Sequence, residues 1–259
     1  MGGAEIGLKV SLDALGTKVV IGEMYYDETD GYTHNVGRMM VYKVDTDLQL
    51  GSIITGTAGK DYAGSSVAIA RDGECIIYGA IGAARDVESG VAYVYCWNAS
   101  GNDWEKRDTL FGEAVADQYG HTVAITSDGN YVAVGAHDND VNGSKKNAGH
   151  VRVYCYNGTA YEQLGSDIDG GRGEEKDGHS YYVGDAFGFD IALSDLDQDG
   201  RIKIVIGAPN NQDVGYYNGQ VSNQKIPRNT REYDTHLLAT NQSYMSLSYP
   251  ISNSPGLCF

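Results

Sequence analysis

Apolar residues in this chain come in short runs broken by glycine and by Asp-Gly turns, and the runs recur. "YAGSSVAIARDGECIIYGA" (Tyr62 to Ala80) aligns with "YGHTVAITSDGNYVAVGA" (Tyr119 to Ala136): a glycine, an apolar run, a turn, a second apolar run and a closing Gly-Ala. Gly64, Gly73 and Gly79 correspond to Gly120, Gly129 and Gly135, with spacings of nine and six in both. Gly7, Gly16 and Gly22 repeat those spacings, and Gly188, Gly200 and Gly207 form a fourth copy with a longer turn, spaced twelve and seven. Each copy then reaches another glycine (Gly37, Gly90, Gly149, Gly219). In the first three a tyrosine-bearing stretch follows, "RMMVYKV", "VAYVYCW" and "VRVYCYN", and then a fourth apolar patch. Val151, Val153 and Cys155 alternate with Arg152, Tyr154 and Tyr156, the period of two expected of a strand with unlike faces.

The unit is therefore four short antiparallel strands. Asp72-Gly73 and Asp128-Gly129 read as two-residue hairpin turns in which glycine takes the positive φ. One such sheet cannot bury its faces alone, so successive units must pack on one another. The expected fold is all-β: a β-propeller of four-stranded antiparallel blades, about four units, either a closed four-membered ring or part of a larger one, with a stacked β solenoid as the second choice. The blades fall at about 1–57, 58–113, 114–181 and 182–221. Residues 222–259 are an atypical tail in which Tyr244 to Tyr249 offers an outer strand for the last blade.

Charge narrows the partners. Nineteen basic against 35 acidic side chains leave a net charge of -16, which argues against nucleic acid and anionic membranes, whose binding needs a basic surface. No run approaches the length of a membrane span. "MGGAEIGLKV" has neither the basic nor the apolar region of a signal peptide. Against this, Asn98-Ala-Ser, Asn142-Gly-Ser, Asn157-Gly-Thr and Asn241-Gln-Ser are glycosylation sequons outside the apolar runs, and they favour an extracellular or cell-surface setting for a chain that lacks its leader. Cys75, Cys96, Cys155 and Cys258 show no CxxC spacing. If Ala80 pairs with Val91, antiparallel register sets Cys75 opposite Cys96, close enough for a disulfide; free buried thiols are the alternative.

Candidate chemistry centres on Asp195-Leu-Asp197-Gln-Asp199-Gly200. Carboxylates at alternate positions before a sharp glycine turn converge as Ca²⁺ ligands, and the Arg201 carbonyl is a natural fourth. An EF-hand is excluded because Ile206 stands where its last glutamate belongs. "FGFDIALSDLDQDGRIKIVIGAP" resembles the FG-GAP repeat of integrin α-subunit propellers, over roughly residues 7 to 221. That resemblance implies a DxDxDGxxD calcium loop with Asp195, Asp197, Asp199 and the Arg201 carbonyl as metal ligands. Lys203 replaces the loop's last aspartate, with Asp190 or Asp213 as substitutes for the lost ligand.

Other side chains have plainer readings. Asp61, Asp117 and Asp185 each stand three residues before the first glycine of a unit, a recurrence that suits a structural role as acceptors of backbone N–H bonds. His121 beside Asp117 and His137 beside Asp138 lack a nucleophile-elbow partner, so no catalytic residue is assigned. Tyr25, Tyr26, Trp97, Trp104, Tyr181 and Tyr182 line a sugar platform or a protein interface, or else fill a sheet interior. The loops Glu23 to Asn35, His137 to Asn147 and Gly170 to Val183 are the favoured binding surfaces. The expected function is a non-catalytic binding or adhesion module that presents loops to a protein or glycan ligand, with calcium as a stabiliser. A hydrolase with a propeller-top carboxylate site and an architectural segment of a larger surface protein are the alternatives.

Overall fold

In a computed structural model, the structure describes residues 9–27, 34–83, 89–141, 143, 145–171, 173, 175–176, 181–182, 184–195 and 201–211, together with the backbone of strands at 223–225, 234–236 and 244–250. Contacts divide the chain into two compact units, 1–130 and 131–259. The first unit contains β1 (Lys9–Leu12), β2 (Lys18–Glu23), β3 (Arg38–Lys43), β4 (Leu48–Gln49) and β5 (Ile54–Thr55), then β6 (Ala63–Ile69), β7 (Cys75–Ala80), β8 (Val91–Asn98) and β9 (Asp103–Phe111), and finally β10 (Thr122–Ile125). The second contains β11 (Tyr131–Ala136), β12 (His150–Tyr156), β13 (Tyr161–Gln163) and β14 (Ile168–Asp169), a ribbon of β15 (Glu175–Lys176) and β16 (Tyr181–Tyr182), then β17 (Ile191–Ser194), β18 (Arg201–Gly207), β19 (Asn223–Lys225), β20 (Asp234–His236) and β21 (Tyr244–Pro250).

In the first unit β1 to β4 lie side by side in chain order with β5 also on β3, and β6 to β9 form a second meander. The central strand β7 is buried along its whole length, which is why "CIIYGA" is apolar throughout rather than alternating. The two sheets share one core: Val20, Met39 and Val41 from the first meet Ile69, Ile76 and Tyr78 from the second. Polar bonds pin the same contact. Lys18 Nζ donates to the Gly73 carbonyl at 2.8 Å, and Trp104 Nε1 donates to the Leu50 carbonyl at 2.9 Å.

The glycine spacing has a steric cause. Gly64 and Gly120 adopt φ of 82° and 91°, and their carbonyl oxygens press on Gly22 and Gly79 so closely that a Cβ there would overlap them. In the second unit Gly188, at φ 87°, comes against Gly135 in the same way, with a Cβ only 3.4 Å from the Gly135 Cα. Gly64 lies in a bulge, since the register of β6 on β7 slips between Ala63 and Ser66.

Two expectations require correction. The sheets are separate and open, none closed or curled on itself, so the propeller inferred from the repeat is not the architecture. A ring needs like blades. The last sheet instead runs β17-β18-β21-β19-β20, takes its third strand from Tyr244–Pro250, and pairs β19 with β21 in parallel. The hairpin turns also differ: Gly73 N–H closes on the Ala70 carbonyl at 2.9 Å and Ala70 N–H on the Cys75 carbonyl at 2.8 Å. Five residues, 70 to 74, therefore connect β6 to β7 where two were expected, with Gly73 still in the left-handed region at φ 71°.

The register of β7 on β8 is the expected one. Ala80 pairs with Val91, Cys75 lies opposite Cys96, and the two are joined in a disulfide with a Cα separation of 4.1 Å. Cys155 is disulfide-bonded as well. The Cys75–Cys96 bridge spans 21 residues. Closing a loop of that size in the unfolded chain is worth about 3 kcal/mol. A Cys75→Ala/Cys96→Ala double variant is therefore expected to unfold at lower urea with an unchanged or larger denaturant slope, and an unchanged midpoint would contradict the bracing role.

A buried carboxylate and guanidinium as the candidate functional site

The closing Gly-Ala of the repeat is Gly79-Ala80, Gly135-Ala136 and Gly207-Ala208, but the first copy reads Gly22-Glu23. Strand register puts Glu23 opposite Arg38, where the second copy has Ala80 opposite Val91. The first hairpin thus ends in a charged pair where the second ends in an apolar one. Glu23 is 0% exposed, its Oε2 accepts from Arg38 Nε at 2.5 Å, and its Oε1 is buried with no hydrogen-bond partner among the described residues. Burial of one unmet acceptor costs about 1–3 kcal/mol, more when it is charged.

Aromatic rings border the pair. The Arg38 guanidinium carbon lies 3.9 Å from the centroid of Tyr26, and Tyr25 meets Tyr62 edge to face at 6.2 Å. Turns hold these rings in place. Tyr26 N–H donates to the Glu23 carbonyl, Gly37 N–H to the Tyr26 carbonyl, and Tyr62 N–H to the Asn35 carbonyl, with Asn35 and Tyr62 both at positive φ. Asp27 Oδ1 accepts from Asn35 N–H at 2.6 Å and its Oδ2 lies 3.4 Å from His34 Nδ1. The Asn35 backbone bond, then His34, holds the Asp27 carboxyl below the usual carboxylate range. The arrangement offers a buried anionic acceptor, a fixed guanidinium and ring faces at one strand end, a set suited to binding polar molecules.

The remaining candidates resolve into structural parts or lie elsewhere. Asp61 Oδ2 accepts from Thr57 N–H, Thr57 Oγ and Ala58 N–H at 2.7 to 2.8 Å, and Asp117 accepts from Ala114 N–H at 3.1 Å. These are the backbone-anchoring roles their recurrence suggests, and Asp185 is likewise buried. Trp97 and Trp104 meet edge to face at 5.2 Å with Trp104 nearly inaccessible, so they fill the sheet contact rather than form a platform. Tyr181 and Tyr182 are defined as backbone in β16. Asp195 follows β17, half-buried, and Arg201 opens β18, whereas Asp197 and Asp199 lie outside the described residues, as does Asp213. Asp190 is turned onto its own strand, accepting from Ile191 N–H at 3.0 Å. Lys203 pairs with Ser194 in the β17–β18 register.

No family model matches the chain, and no curated protein matches it. Among solved structures it is similar to a candidate 6-phosphogluconolactonase from Bacteroides uniformis, at 14% identity and a TM-score of 0.43, covering 62% of this chain and 39% of that one. It is also similar to Sqt1 from Saccharomyces cerevisiae, at 11% identity and a TM-score of 0.46, covering 80% of this chain and 43% of that one. This chain therefore spans less than half the length of either. No family model supports the FG-GAP and integrin α resemblance, and the open sheets contradict the propeller it implies. With it goes the expected function: there is no propeller face to present loops or to host a hydrolase's carboxylates.

Sequence reasoning included Glu23 only as the first residue of the favoured loop Glu23 to Asn35 and did not single it out, whereas it is the last residue of β2, buried opposite Arg38. The signal was available in the repeat itself, as the one copy that breaks the Gly-Ala rule.

His137 gives the clearest pH dependence. Its ring packs edge-on against Phe189 at 5.3 Å, and although Asp138 stands 3.4 Å away, burial prevails and lowers its pKa to about 4. In the unfolded chain it titrates near 6.5, so between those values the unfolded state takes up a proton that the folded state refuses. Stability present above pH 6.5 is then lost as the pH falls toward 4, by on the order of 2–3 kcal/mol. Urea midpoints measured across this range should fall steeply for the native chain and less steeply for His137→Gln; identical slopes would contradict the assignment.

Proposed function

We propose that this chain is a non-catalytic carbohydrate-binding module of an oxidising, extracytoplasmic compartment, and that the strand-end cluster of Glu23, Arg38 and Tyr26 is its site. The observation that carries the reading is the buried Glu23 carboxylate, one oxygen on Arg38 and the other without a partner among the described residues. A sugar hydroxyl that meets the carboxylate as the side chain turns out from its buried position supplies the donor this oxygen lacks, while the face of Tyr26 away from Arg38 suits the apolar C–H face of a pyranose. A net charge of -16 favours neutral or amino sugars over acidic ones. The disulfide of Cys75 and Cys96 supports the oxidising compartment. Binding depends on side chains carried by strand ends, not on loops offered from a ring.

The repeat supplies the test. Glu23→Ala/Arg38→Val installs the Ala80 and Val91 pair of the second copy, so the fold has a precedent for it. Isothermal titration with a panel of neutral, amino and acidic monosaccharides and disaccharides should detect binding of a neutral or amino sugar by the native chain. At least a tenfold loss is expected in the double variant and in Tyr26→Ala, with unfolding midpoints near native. Unchanged affinity in the double variant, or no binding across the panel, would rule the reading out.

A further inference from the structure

The turn joining the third and fourth strands has the same construction in the second and third repeats. Asn98 ends β8 and its Oδ1 accepts from Ser100 N–H at 2.9 Å and Gly101 N–H at 3.2 Å. Asn157 follows β12 and its Oδ1 accepts from Thr159 N–H at 2.9 Å and Ala160 N–H at 3.0 Å. In both turns the residue two places on, which the asparagine side chain caps, bears the hydroxyl of an Asn-x-Ser/Thr sequon. The carboxamide nitrogen points outward in both, donating to Glu105 Oε1 at 2.5 Å and to Glu162 Oε1 at 2.6 Å, and these glutamates are exposed. Ala99, Ser100, Gly158 and Thr159 are exposed as well, so both sequons lie on solvated turn tips, Asn98 at the last pair of the β8–β9 ladder and Asn157 just past β12. The first repeat has Asp45-Thr46-Asp47 at the equivalent turn and no acceptor there.

We infer that Asn98 and Asn157 are N-glycan acceptors, modified from a lipid-pyrophosphate-linked oligosaccharide. The Nδ2–glycosyl bond forms as the glycosyl–oxygen bond to the pyrophosphate breaks, one Nδ2 proton is lost, and the lipid pyrophosphate leaves. The turn survives the change, because Oδ1 keeps both of its backbone bonds and Nδ2 retains one hydrogen for the neighbouring glutamate. Two glycans at phase-equivalent turns would shield the third and fourth strands of each sheet at the same end. The inference rests on the extracytoplasmic placement proposed above and not on sugar binding by Glu23.

The 259-residue chain, secreted from a eukaryotic host behind a secretion leader, is the material for the test. Glycopeptide mapping by mass spectrometry is expected to show occupancy at Asn98 and Asn157, and Asn98→Gln and Asn157→Gln should each remove one glycan in a gel-shift assay with peptide N-glycosidase. Alkylation of free thiols on the same material reports the disulfides separately. A product with closed disulfides but bare Asn98 and Asn157 overturns the glycan inference alone. A product with free thiols and no glycan overturns it together with the compartment.

Discussion

Backbone contact at glycine is the constraint on which the rest depends. Where Gly64 meets Gly22 and Gly120 meets Gly79, main chain touches main chain with no room for a single methyl group. Sheets that approach this closely bury their central strand on both sides, which is why β7 is inaccessible from end to end. The same closeness fixes the spacing of glycines along the sequence, because each must arrive in phase with the strand it packs on. A positive φ at Gly64 and Gly120 serves the approach rather than a turn in isolation.

The candidate site is a by-product of that packing. Glu23 directly follows Gly22, and its backbone nitrogen lies 3.1 Å from where a Cβ on Gly64 would be, so it is drawn into the contact along with its neighbour. A carboxylate there loses its water and keeps only what the fold returns to it. Arg38 supplies one charge-assisted bond, and the second oxygen is left over. Buried ion pairs of this sort seldom add stability over an apolar pair, and the Ala80 and Val91 pair of the next repeat does the same structural work without charge. Retaining charge where the fold accepts alanine and valine points to a use for it.

Local rules were legible in the sequence. The glycine spacings located the strands, the pairing of Ala80 with Val91 placed Cys75 against Cys96, and recurrence of Asp61 and Asp117 foretold their backbone bonds. Long-range relations were legible only in part. Periodicity says that units are alike but not whether they close a ring, and although Tyr244 to Tyr249 was readable as a strand of the last sheet, its place between β18 and β19 rather than at the outer edge was not. The Asp-Gly pairs announced turns, yet their length was set by strand register at Ala70 and Cys75. Glu23 was legible only as the start of a binding loop, because its significance lies in burial opposite Arg38, which no motif encodes.

Thermal or urea unfolding of Gly79→Ala tests the central claim most directly. Gly79 is a strand residue without positive φ, so alanine alone would stabilise it by about 0.5–1 kcal/mol. Because its methyl group would overlap the Gly120 carbonyl, the account predicts a loss of at least about 2 kcal/mol, against no loss for Gly101→Ala, whose nearest neighbour would be 3.4 Å away. A Gly79→Ala chain as stable as the native one, or more stable, would contradict it.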